Sequence, residues 1–128
     1  MCLLLFINAK EFAMGKHVLF LLNPGFHDEK GGPFFCPECS AVEGFLKYAP
    51  EVEKQLAVRR VEFKKPRKEI VGLIGATNQK CPVLVLDEAS VRPPEAKKSE
   101  ETGRAFISGS IQICEFLGRA FGVVRPHP

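Results

Sequence analysis

The segment Cys36-Pro37-Glu38-Cys39 constrains this chain more than any other, because of what flanks it. Before it comes the apolar run His17-Val18-Leu19-Phe20-Leu21-Leu22 and a loop rich in glycine and charge. After it comes a helical pattern. A Cys-x-x-Cys at the mouth of a helix that follows a strand is the arrangement of a thiol-disulfide redox site. A helix N-terminus presents free amide groups and the positive end of the dipole. Both favour a thiolate, the reactive form of cysteine.

A second feature lies far downstream, in Gln79-Lys80-Cys81-Pro82-Val83-Leu84-Val85-Leu86. Here a proline opens a run of valine and leucine. That reads as a strand whose first residue lacks an amide donor, where proline is tolerated.

The chain has 128 residues, which suits one domain with a core of its own. A net charge of +3 is too small to argue for nucleic acid. The five cysteines are an odd number without framework spacing, so reduced thiols in a cytoplasmic setting fit better than a stapled secreted domain. The apolar run Leu3-Leu4-Leu5-Phe6-Ile7 is too short to span a membrane and lacks the basic flank of a signal peptide. Residues 1–14 therefore read as a leader outside the fold, with Met14 the expected natural start and Cys2 without a role. The alternative is an extra edge strand or ordered arm.

Along the rest of the chain, Val18 to Leu22 predicts a buried strand and Asn23 to Phe35 a loop. A helix starts near Cys36 with Pro37 in its first turn. Cys39, Val42, Leu46 and Ala49 form its apolar face, and Pro50 ends it. Leu56 to Phe63 predicts a second strand, and Pro66 to Ile74 a second helix ended by Gly75. Val83 to Leu86 is the third strand. Residues 87–103 are too polar to bury much surface and read as a mobile excursion within the domain of residues 15–128. Arg104 to Ile107 is the fourth strand. A last helix runs from Ile111 to about Phe121, with Ser110 as N-cap and Gly122 as its end. The fold class is α/β, in the order β-α-β-α-β-β-α, with a mixed four-stranded sheet.

This order, with its Cys-x-x-Cys and the proline before the third strand, resembles the thioredoxin superfamily. It is most similar to glutaredoxins and the N-terminal domain of glutathione transferases. Within that group it resembles an uncharacterised bacterial family of thioredoxin-like domains of unknown function. The shared marks are Phe20-Leu21-Leu22-Asn23-Pro24-Gly25-Phe26, Val42-Glu43-Gly44 after the motif, Asn78-Gln79, Gly103-Arg104-Ala105-Phe106 and Pro126-His127-Pro128. The resemblance implies a cis-proline at Pro82 that faces Cys36 and Cys39. It also implies glutathione as cofactor. The tripeptide would run along Cys81 and Pro82 and set its γ-glutamyl carboxylate on Gly109 and Ser110. The usual acidic-serine or glycine-aspartate pattern at that helix is replaced by Ser108-Gly109-Ser110, which leaves backbone N–H groups to hold the carboxylate.

Cys36 is the candidate nucleophile and Cys39 the resolving thiol. Glu38, between them, is expected to work against thiolate formation. Cys81 is either a third redox partner, a thiolate ligand or a small apolar filler. Cys114 reads as buried. His27 reads as a solvated loop residue that could favour the Cys36 thiolate, and neither His17 nor His127 has a ligand partner by spacing. Arg59, Arg60, Lys64, Lys65, Arg67 and Lys68 read as a solvated face, some of which could attract an anionic thiol.

The function these readings favour is a thiol-disulfide oxidoreductase acting on a small or protein thiol or disulfide, with no nucleic acid or membrane as partner. Two alternatives stand beside it. One is a metal or iron-sulfur module on Cys36, Cys39 and Cys81, whose fourth ligand would come from glutathione or from a second subunit in a homodimer. The other is a thioredoxin-like interaction module with idle cysteines.

Overall fold

The computed structural model describes residues 16–128. The leader at 1–14, with Cys2 and Met14, lies outside the described residues. Strands β1 (Val18–Leu22), β4 (Ala57–Val61), β5 (Val83–Val85), β6 (Lys97–Lys98) and β7 (Ala105–Ser108) form one sheet, in the order β4-β1-β5-β7-β6. Strands β2 (Phe26–Asp28) and β3 (Gly31–Phe34) form a separate antiparallel pair. Four helices occur among the described residues: α1 (Pro37–Tyr48), α2 (Pro50–Glu53), α3 (Lys68–Ile74) and α4 (Ser110–Phe121). The architecture is mixed α/β. None of these helices is long and apolar enough to cross a membrane.

Leu19, Phe20 and Leu21 are all buried. Successive strand side chains point to opposite faces, so β1 is covered on both sides. It runs parallel to β4 and antiparallel to β5. Cys39, Val42, Leu46 and Ala49 are buried along one face of α1, which packs against α4. Ile113 and Leu117 of α4 and Ile70 and Ile74 of α3 complete the core. Each buried leucine or isoleucine contributes roughly 1.5–3 kcal/mol of transfer free energy.

The sheet has five strands, not the four expected. The added strand is Lys97–Lys98, which pairs antiparallel with Phe106 and Ala105 on the outer edge of β7. Its side chains are exposed and only its backbone joins the sheet, so no apolar alternation marks it. The stretch expected as a loop from Asn23 to Phe35 holds the β2–β3 hairpin. Lys30 N–H donates to Asp28 Oδ1 across its turn at 2.8 Å. Phe26 stacks on Phe63 with ring centroids 4.3 Å apart, tying the hairpin to the segment after β4. The N-cap of α4 is Gly109 rather than Ser110. Its φ of +93° is a conformation that glycine adopts at little cost, and Ser110 is the first helical residue.

Candidate redox site

The sheet register assembles the site. Phe20 lies opposite Val83, which sets Cys81 and Pro82 beside the C-terminal end of β1. Val83 also lies opposite Ser108, and Gly109 N–H donates to Pro82 O at 3.5 Å. The loop after β1 returns the chain to Cys36 at the start of α1. Cys36, Cys39, Cys81, Pro82, Gly109 and Ser110 therefore gather at one end of the sheet, although they span three separate parts of the sequence. The Cys81–Pro82 peptide bond is cis.

Cys36 is the N-cap of α1. Its backbone is extended (φ −80°, ψ 115°), and its Sγ accepts the N–H of Cys39 at 3.1 Å. A sulfur thus takes the place usually filled by a serine or aspartate oxygen. Pro37 follows in the first turn, where its missing N–H costs nothing. Cys36 is half-buried, whereas Cys39 is buried on the inner face. Leu22 N–H donates to Cys39 Sγ at 3.5 Å, joining the end of β1 to the motif. Burial, and next the hydrogen bond to Cys36, push the Cys39 thiol well above the usual thiol range. The two cysteines are chemically distinct: one reachable at the helix mouth, one protonated and enclosed.

Cys81 is buried, and its carbonyl oxygen lies 4.0 Å from Cys36 Sγ, at the limit of a weak S–H···O contact. Burial pushes its thiol up to about 11, while the neighbouring Arg67 guanidinium acts the other way. Among the described residues no group of three or more His, Cys, Asp or Glu side chains is placed to hold a metal ion. Cys114 is buried in α4, and burial raises its thiol to about 11.

Three residues take contacts that the sequence does not reveal. Glu38 does more than sit between the cysteines: its Oε1 accepts the N–H of Ser110 at 3.1 Å, so it caps α4 from the first turn of α1. Arg67, expected on a solvated face, is only 8% exposed. Its guanidinium donates to the carbonyl oxygens of Phe63 and Gln79. Gln79 answers with Oε1, which accepts the Arg67 N–H at 2.7 Å. Asn78-Gln79 is one of the marks shared with the resembling family, but no local signal says that the partner of Gln79 is twelve residues upstream.

Beside Cys81 opens a cleft of about 820 Å³, whose lining includes His27, Lys64, Lys65, Arg67, Lys80 and Cys81. Among the described residues no aspartate or glutamate lines it. Neither Cys36 nor Cys39 lines it, but Leu22 and Cys81 do, and these contact Cys39 and Cys36 respectively.

No curated protein and no solved structure matches the chain on comparison. One family model does, over residues 16–125, and its description is Protein of unknown function (DUF3088). That match covers the sheet, all four helices and every residue of the site, and the chain belongs to this family.

Proposed function

We propose that the chain is a thiol-disulfide oxidoreductase of thioredoxin-like, glutaredoxin-type architecture, working in a reducing compartment such as the cytoplasm. The observation that carries this reading is the asymmetric pair. Cys36 caps a helix and its sulfur accepts an amide N–H, while Cys39, one turn on, is buried. Support for the thioredoxin-like reading comes from the inner strands β4-β1-β5-β7. They hold one parallel pair and two antiparallel ones, with α4 following the last.

The reaction follows from these positions. The Cys36 thiolate attacks one sulfur of a substrate disulfide, forming a mixed disulfide and releasing one substrate thiolate, which takes a proton. Cys39 then loses its proton and attacks Cys36 Sγ, forming the Cys36–Cys39 disulfide and releasing the second thiolate. The substrate gains two electrons and the protein loses two. A thiol or dithiol donor restores the pair by the reverse exchange.

Turnover of a small disulfide with a dithiol donor tests the reading. Cys36→Ser abolishes it, whereas Cys39→Ser leaves the mixed disulfide trapped on Cys36. Equal turnover by both variants and the parent would sink the proposal.

A further inference from the structure

The two flanks of Cys36 carry opposite electrostatic character, and one is already occupied. On the α4 side, the helix N-terminus is the natural seat for an anion. Here Glu38 takes it, with Oε1 on Ser110 N–H and 3.9 Å from where a Cβ on Gly109 would stand. A substrate carboxylate arriving there meets a carboxylate in place. On the Cys81 side, Lys64, Lys65 and Lys80 line the cleft, and no acidic side chain does among the described residues. Each of these lysines is exposed, and none is in an ion pair among the described residues.

Arg67 adds a buried positive charge to the lining of the cleft. A buried guanidinium is costly unless its donors are hydrogen-bonded. The donors of Arg67 are met by the carbonyl oxygens of Phe63 and Gln79, and no carboxylate neutralises its charge among the described residues, so it adds to the positive character of the lysines. Glu101 is not among the lining residues; its oxygens accept from Ala76 N–H, Thr77 N–H and the Thr77 hydroxyl. The cleft volume suits a small molecule.

The geometry points to a substrate of one-sided charge: a small thiol or disulfide with its anionic group in the Lys64–Lys65–Arg67–Lys80 cleft and an uncharged or cationic group towards Glu38. Glu38 and the three lysines are then specificity residues for the exchange at Cys36. The inference rests on Cys36 being the reacting thiol, and it departs from a glutathione site in which the helix N-terminus holds a carboxylate.

Methanethiosulfonate reagents of equal size test it, since they differ in charge and label a thiol without any turnover. Rates of labelling at Cys36 are measured in reduced Cys39→Ser protein, the parent for this test because it cannot expel the label, by peptide mapping at low salt with anionic, neutral and cationic reagents. The parent is expected to favour the anionic reagent over the cationic one. Lys64→Gln/Lys65→Gln/Lys80→Gln is expected to lower that ratio by about tenfold, the size of a partly screened charge interaction. Glu38→Ala is expected to raise the anionic rate above the parent's. A parent ratio equal to that of a free cysteine peptide, or one unmoved by both variants, overturns the inference. These rates are read in protein that cannot form the Cys36–Cys39 disulfide, so failure of the redox reading and failure of the charge rule are separate results.

Discussion

Arg67 and Gln79 clasp one another at both ends: the Arg67 N–H reaches Gln79 Oε1 at 2.7 Å, and Arg67 Nη1 reaches Gln79 O at 2.7 Å. The pair pins the start of α3 to the segment that carries Cys81. Gln79→Ala leaves the Arg67 N–H without its acceptor. It is expected to cost about 1–3 kcal/mol in urea unfolding, the penalty for an unsatisfied buried group. Gln79→Glu keeps the acceptor and is expected to retain more of that stability, while slowing an anionic thiol reagent at Cys36 because it sets a carboxylate in the cleft. Identical stabilities for the parent and Gln79→Ala would show that the clasp holds nothing.

His17 links stability to pH. Its Nδ1 accepts the Asp87 N–H at 2.9 Å, and its ring meets Phe116 edge-on. Burial lowers its pKa below the usual 6.5, with the Asp87 charge acting in the opposite direction. The folded state therefore binds fewer protons than the unfolded state between that lowered value and 6.5. Stability is expected to be fully present above 6.5 and to fall as pH drops towards the folded pKa. His17→Gln should flatten this slope in denaturant midpoints measured across pH 7 to about 5. An unchanged slope would mean that another group drives it.

Gly118 is a point of close approach. A Cβ there would run into Val124 O and stand 2.5 Å from Arg125 Cγ, because the chain after α4 folds back over it. The helix itself would welcome alanine, by about 1 kcal/mol. The backbone clash is expected to win, so Gly118→Ala should lower the melting temperature and expose the segment from Val123 to Arg125 to protease. A raised melting temperature would contradict the packing.

The two thiols of the motif should differ in reactivity. Cys39 is buried and holds its proton, whereas Cys36 is half-buried at the helix mouth. Iodoacetamide is expected to modify Cys36 in Cys39→Ser at least about tenfold faster than Cys39 in Cys36→Ser near neutral pH, since only the thiolate reacts. Equal rates would place the helix start elsewhere.

The elements that the sequence made legible are those whose burial is periodic. β1 ends at Val18 and Leu22 as the apolar run does, and α1 buries Cys39, Val42, Leu46 and Ala49 at the expected spacing. β6 was illegible because two exposed lysines pair through backbone alone. The β2–β3 hairpin was hidden in a glycine-rich stretch with little apolar alternation. At the site, the residue types and their neighbourhood were readable, since a strand, a loop and a helix start place Cys36 and Cys39 by local rules. The partners were not. Glu38 meets Ser110 across 72 residues, and nothing nearby marks a surface glutamate as a helix cap. Arg67 is one of several basic residues in a row, and composition does not say which of them turns inward.

The central claim is that Cys36 and Cys39 form a reversible redox pair. The most direct test equilibrates the protein in thiol-disulfide buffers of graded potential, blocks free thiols by alkylation and maps the linkages by mass spectrometry. The account predicts a single Cys36–Cys39 disulfide that appears and disappears reversibly, with Cys81 and Cys114 alkylated only after unfolding. Free Cys36 and Cys39 at every potential, or linkage of Cys36 to Cys81 in preference to Cys39, would contradict it.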